Sequence, residues 1–545
     1  MKEVRDLPVT PAVAPSDASR HAPQPPRASR AAVSAAAAAL RRVTSAVVLR
    51  WLLFAAILSM AVVPPLDPDL WWHLANGRLI LSTGSIPHVD VYSFSAAGQP
   101  WVMHEWLADL AMYVLYQHGG LPLLVAVFAT VITAAAACLY VLLRQTGLAP
   151  TAAATLTLVG ALAGSTAWGA RPQLLNILCC GLLILGLTRY RAGRLPAFVL
   201  PPFIWLWANL HSAFLVGVII SLLFAAGEVF DAWRSRQGAM SRRRLTALGW
   251  AIAGGTGLAI VNPFGIQTTL FSLGTLTSPL IQNNIAEWAS PDFHSMAGLM
   301  FEGIVFLLLG GLLTGRVKAR TSEWLVAFAL LYLALASQRH VPLFVLGAAP
   351  LMGRCAQALL DLAAAMLPAV DRRPAAQAAL RWAPARPTAP GLALGAINLA
   401  LLIVVGAGML AYRALPNLQA GREAAAISGT FPVHATDALQ ALDRPLRVFN
   451  YYDYGGYLVW RLFPGGGRVF IDGRVEVYGS RVFSRYLRVS YLADDWPEVV
   501  AQAHPDAIVL PSGHPLVGIL RQDAAWQVLS RDPVATVFTR VGFAP

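Results

Sequence analysis

Two aspartates separated by one proline, Asp67 and Asp69, directly follow the first long apolar run of the chain. On a helix starting at Pro68, Asp69, His73 and Asn76 share one face by i, i+4 and i+7 spacing, while Leu70, Trp71, Leu74 and Leu81 form a broad apolar side. Such a helix lies at an interface and points a carboxylate one way, where it can take a proton from a nucleophile. Asp67 before Pro68 also suits a helix cap, and Asp69 suits the positive end of the helix. The two readings are compatible: Asp67 caps and Asp69 works, with both retained as catalytic candidates. His104 and Glu105 stand before the next apolar stretch, but HEW lacks the second histidine of a zinc-protease HExxH, so the pair reads as substrate-facing or as a helix start. Arg171 in ARPQ and Arg339, next to His340 in SQRH, can hold a phosphate bidentately or snorkel to headgroups. His211 in WANLHS joins His73 and His104 as a binding candidate, and equally suits a helix end.

The elements that must position these residues follow from composition. Of 545 residues, 57% are hydrophobic and only 13% charged, with a mean hydropathy of +0.57, too much apolar side chain for a water-facing surface. A soluble cytosolic enzyme is excluded, and the net charge of +13 is read by position along the chain rather than as nucleic-acid binding. The four cysteines, Cys138, Cys179, Cys180 and Cys355, lie in or beside apolar segments and form no CxxC metal pattern or disulfide framework.

A spanning helix needs about 20 apolar residues. Such runs occur at roughly 46–64, 121–143, 151–168, 174–189, 196–210, 212–230, 246–262, 297–314, 323–337, 341–359 and 391–412, eleven spans in all. Residues 1–45, rich in Ala, Pro, Ser and Arg, read as a disordered cytoplasmic arm. With that arm inside, loops 144–150, 190–195, 231–245, 315–322 and 360–390 are cytoplasmic and hold most of the arginines, so the positive-inside rule fits one orientation. The membrane domain is then 46–412, and the C-terminus lies outside.

Residues 413–545 change character, with β-like runs at 447–450, 468–472, 507–511 and 535–540 separated by helical patterns. This predicts a small extracytoplasmic α/β domain with a largely parallel sheet, closed by a C-terminal strand or hairpin. Asn450, Asp453, Asp472 and Arg474 fall at or just after strand ends, where open α/β sheets place ligands, although turn chemistry is the leading reading and the domain is expected to bind the acceptor or a partner. Trp101, Trp106, Trp168, Trp207 and Trp288 read as an interfacial aromatic belt.

Sorted by side, the polar candidates from six loops gather at one membrane face, and the spans have almost no charge at mid-depth. That favours chemistry at a surface over a coupled transporter, which needs ionisable groups near the midplane. The string DPDLWWHLANGRLILSTGSIPHVDVYSFSAAGQPWVMHEWL resembles bacterial polytopic proteins related to GT-C glycosyltransferases, as do NYYDYGGYLVW and VFIDGRVEVYG near the C-terminus. The resemblance spans most of residues 46–545. It implies an α-helical polytopic GT-C-like fold and inverting transfer of a sugar from a polyprenyl-phosphate donor to an envelope acceptor, at the outer face of a bacterial cytoplasmic membrane. In that reading Asp69 or Asp67 takes the acceptor proton, Arg339, His340 and Arg171 receive the phosphate, and His73, His104, Glu105 and His211 contact substrate. The DPD spacing departs from the DE and ExD forms of related enzymes and leaves metal use open, Mg2+ or Mn2+ being compatible without a dedicated cage. Membrane lipid and the lipid-linked sugar are the expected partners, and nucleic acid is not. A lipid-linked-glycan transporter and a non-catalytic scaffold of envelope assembly are the competing functions.

Overall fold

The structure, a computed structural model, describes residues 27–366 and 390–543. Residues 1–26, most of the expected arm, and most of the basic loop 360–390 lie outside the described residues. The arm is not wholly unstructured: Arg27–Leu40 form helix α1, as their alanine-rich sequence favours. Then come α2 (Ser45–Ala61), α3 (Asp69–Thr83), α4 (Trp106–Gln145), α5 (Pro150–Ala163), α6 (Gln173–Arg191), α7 (Leu200–Leu210) and α8 (Phe214–Trp233). Next are α9 (Arg242–Leu258), α10 (Gln267–Thr277), α11 (Pro279–Asn284), α12 (Met296–Leu313), α13 (Thr321–Ala336), α14 (Val341–Gly347) and α15 (Ala349–Met366). A last apolar helix runs Leu392–Asn417.

Every expected apolar run carries a helix, and the chain is a multi-pass membrane protein. By length and composition five helices can cross a membrane, or seven if two helix pairs bent by 71° and 67° each count as one span. The other runs sit on the shorter α5, α7, α9 and α13. α4 breaks at Gly119–Gly120, where Gly120 takes a left-handed φ of +64° and Pro122 opens the continuing segment. Its first part, 106–118, pairs with α3.

The C-terminal strands are β1 (Arg447–Asn450), β2 (Arg468–Val469), β3 (Ala507–Pro511), β4 (Trp526–Arg531) and β5 (Ala535–Arg540), in the order β2-β1-β3-β5-β4. β1 pairs parallel with β2 and β3, while β5 runs antiparallel to both β3 and β4. The expected parallel centre and closing hairpin are present. β4 had no apolar alternation to reveal it: only half-buried and exposed residues make it up. The expected strand 468–472 shortens to two residues, since Asn450 takes over the next amides: its Oδ1 accepts from Phe470 N at 3.0 Å and Ile471 N at 3.3 Å.

This domain shares its core with the loop 84–105 between α3 and α4. Phe94 N donates to Val469 O at 3.0 Å and Val469 N to Tyr92 O at 3.1 Å, so the loop extends the sheet beside β2. Tyr92 and Trp101 pack in one hydrophobic cluster with Val448, Ile471 and Val509. Buried Arg474 bonds Asp472 through Nε at 2.8 Å and Nη2 at 2.6 Å and pairs with Asp90 of the loop at 2.9 Å, under the faces of Tyr92 and Trp101. The belt expectation is corrected by that burial: Trp101, Trp207 and Trp288 face protein rather than lipid headgroups.

Candidate functional site

α3 starts because Pro68 fixes a helical φ of −58° and Asp67 Oδ1 accepts the Asp69 amide at 2.9 Å. Gly84, at φ +66°, ends it. The apolar side of the helix is covered by protein: Leu70, Trp71 and Leu74 are buried, and the helix is sandwiched. A Cβ on Gly77 would stand 2.2 Å from Asp109 O of α4, and one on Gly456, in the helix Gly455–Leu462, would stand 2.4 Å from Pro68 O. Only glycines permit both approaches, and Leu81 alone of the predicted apolar side stays exposed.

Asp69 faces a cavity of about 470 Å³ that Asp67, His73, His104, Glu105, Arg171, His211 and Arg339 also line. The fold thus brings eight of the nine sequence candidates together. His340 is the exception: it lines a small adjoining chamber with Asn176, its ring edge toward Trp288, and its buried Nδ1 has no hydrogen-bond partner among the described residues.

The two aspartates are differently engaged. Asp67 holds the Asp69 amide and pairs with Arg171 at 3.1 Å, and Arg171 also pairs with Glu287. Asp69 receives one side-chain bond, from the Trp72 indole at 2.9 Å, and is half-buried. Burial and the neighbouring Asp67 charge raise its pKa to about 6, which suits a base near neutral pH. A Cβ on Gly473 would fall 1.9 Å from Asp69 Oδ1 and 3.0 Å from Trp72 Nε1, so the turn after β2 presses on this carboxylate.

Behind Asp69 stands a carboxylate ringed by histidines. Glu105 does not cap α4; it reaches His211 Nε2 at 3.1 Å, His104 Nε2 at 3.7 Å and His73 Nε2 at 3.8 Å. Burial pushes Glu105 up to about 8. His73 Nδ1 meets Asp109 Oδ1 at 2.6 Å, and Asn76 donates to the other Asp109 oxygen at 2.8 Å. Burial pulls the His73 imidazole down, but Asp109 and Glu105 outweigh it and hold it at about 9, a cation at neutral pH. Burial keeps His104 neutral, near 3, and holds His211 well below the usual range. His211 Nδ1 accepts from Ala213 N at 2.9 Å, so the neutral ring carries its proton on Nε2, toward Glu105.

Arg339 packs over Trp288, 4.6 Å from the ring centre, and makes no ion pair or hydrogen bond among the described residues. It is the cation this cavity leaves free for an anion, whereas Arg171 is neutralised twice. No group of three His, Cys, Asp or Glu side chains among the described residues could hold a metal ion, so no metal step follows from the geometry.

Sequence reading missed Asp109, Trp72, Phe271, Tyr452 and Glu476. Asp109 was the most legible: a carboxylate four residues after Glu105 in an otherwise apolar stretch. Glu476, raised by burial to about 7, and Tyr452 come from the C-terminal domain and had no local signal for a site 380 residues away, whereas Asp453, singled out at a strand end but read as turn chemistry, lines the cavity. Asn450, Asp472 and Arg474 are structural, as their turn chemistry suggests.

No protein-family model matches the chain, and no curated protein matches its sequence. Among solved structures, the oligosaccharyltransferase AglB of the archaeon Archaeoglobus fulgidus, complexed with an inhibitory peptide and a dolichol-phosphate, superposes with a TM-score of 0.50 at 11% identity. The match covers 85% of this chain and 69% of AglB. The fold is that of this oligosaccharyltransferase. A looser likeness, with a TM-score of 0.46 at 14% identity, is to ArnT from Cupriavidus metallidurans bound to undecaprenyl phosphate, over 92% of this chain and 98% of that one. In this chain Asp69 follows the apolar helix Ser45–Ala61 and opens α3.

Proposed function

We propose that this protein is a glycosyltransferase that moves a sugar from a polyprenyl-phosphate donor to an envelope acceptor, at the outer face of a bacterial cytoplasmic membrane. The observation that carries the proposal is one cavity holding an ionisable carboxylate, Asp69, and an arginine, Arg339, neither of which is in an ion pair among the described residues. Asp69 takes the acceptor hydroxyl proton as its oxygen attacks the sugar's anomeric carbon. The bond to the phosphate oxygen breaks with inversion, and Arg339 receives the charge that collects on the leaving phosphate. Asp67 and Arg171 hold Asp69 in place, and cationic His73 steadies its charged form. The dolichol-phosphate in the AglB structure supports a lipid-phosphate donor.

The test is native mass spectrometry of the detergent-purified protein for a bound polyprenyl phosphate or its sugar conjugate. The expected pattern is a lipid lost in Arg339→Ala and retained in Asp69→Asn, with sugar transfer lost in both. Absence of any such lipid from well-folded wild type removes the donor assignment. A silent Asp69→Asn favours the scaffold reading.

A further inference from the structure

A second cavity, of about 380 Å³, lies far from the carboxylate site, where the start of α2 meets the end of α4. Ala46, Val47 and Arg50 of α2 and Tyr140, Val141 and Arg144 of α4 line it. Three features distinguish it from a gap between helices. First, neither arginine has a carboxylate partner among the described residues: Arg50 makes no hydrogen bond, and Arg144 spends only Nη1, on Leu148 O. Second, the carboxylates buried at this end of the bundle are taken. Glu228 and Glu323 hold Arg191 at 3.2 and 2.9 Å, Glu323 also holds Arg354 at 2.8 Å, and Asp231 holds Arg236 at 3.3 Å. Third, Tyr140 is only 8% exposed, yet its hydroxyl bonds to nothing among the described residues. The unpartnered hydroxyl keeps access to the cavity that Tyr140 lines, where a ligand oxygen can accept from it.

We infer that this cavity binds the headgroup phosphate of an anionic phospholipid, Arg50 and Arg144 pairing with the phosphate and the Tyr140 hydroxyl donating to it. Basic pockets between spans suit such headgroups, and Ala46, Val47 and Val141 offer the apolar wall that a glycerol backbone and acyl chains need. A free phosphate would use the same donors but not that wall. This site is independent of the proposed transfer reaction.

The test is native mass spectrometry of protein exchanged into micelles containing phosphatidylglycerol or phosphatidylcholine with matched acyl chains. Wild type is expected to retain phosphatidylglycerol about tenfold better. Arg50→Gln should cut that preference severalfold at an unchanged unfolding temperature, Tyr140→Phe should lower it, and Arg50→Gln with Arg144→Gln should abolish it. Equal retention of both lipids by wild type, or a preference untouched by Arg50→Gln, overturns the site. Displacement of the lipid by millimolar inorganic phosphate overturns the lipid assignment in favour of a small anion. If the double variant does not fold, Arg50→Gln alone decides.

Discussion

At the residue scale the two aspartates divide the labour. Asp69→Asn removes the proton acceptor without touching the Asp67 cap, so kcat should fall by about 10²-fold or more while the unfolding temperature holds. As the base must be ionised, the rate should rise through pH about 6 and level off above it, and Asp67→Asn, by deleting the neighbouring negative charge, should move that midpoint lower. A flat profile across this range would refute Asp69 as the base. Gly473→Ala tests positioning: its Cβ cannot coexist with Asp69 Oδ1 at 1.9 Å, so the carboxylate must swing away. Displacement of about 1 Å costs on the order of 10²-fold, so kcat should collapse while polyprenyl-phosphate binding through Arg339 persists. Asp67, Asp69 and their spacing were legible in the sequence, because a helix start is written in local residues. Gly473 was not, because its meaning is a close approach between segments 400 residues apart.

At the element scale, α3 is held from two sides. His73 on Asp109 ties it to α4, with a folded pKa of about 9 above the ordinary 6.5. Its contribution to stability is therefore complete below pH about 6.5 and is lost as pH rises through about 9. Thermal unfolding followed from pH 6 to 10 should show that decline, and Asp109→Asn should flatten it. On the other side Arg474 locks the turn after β2 to the loop 84–105 through Asp472 and Asp90. Arg474→Ala leaves two buried carboxylates unpaired and should cost about 3–5 kcal/mol, read as early proteolysis of loop 84–105 and the C-terminal sheet together. Separate melting of the two would show that they are not one unit. The sequence placed a helix starting at Pro68, with its polar face, and read its apolar side as interfacial. The face it called interfacial is covered by Gly455–Leu462, a partner that periodicity cannot name.

At the scale of the whole molecule, the carboxylate cavity and the arginine-rich end sit at opposite ends of the helices. The proposed orientation predicts that a cysteine introduced at exposed Val528 of β4 reacts with an impermeant maleimide in intact spheroplasts. One introduced at Arg243 should react only after permeabilisation. The reverse pattern would invert the topology and remove the outer-face assignment.

The sequence by itself determined that this is a multi-pass membrane protein with a C-terminal α/β unit, because hydropathy and strand periodicity are local sums over neighbouring residues. It also named eight of the residues that share the cavity, since polar side chains at span ends are rare enough to stand out. Tertiary structure alone decided which of them are spent on each other: Arg171 between Asp67 and Glu287, Glu105 among three histidines, Arg339 left free. It alone brought Gly473, Tyr452 and Glu476 against Asp69. Pairing energies depend on distance through space and on exclusion of water, and neither quantity exists until distant segments have packed.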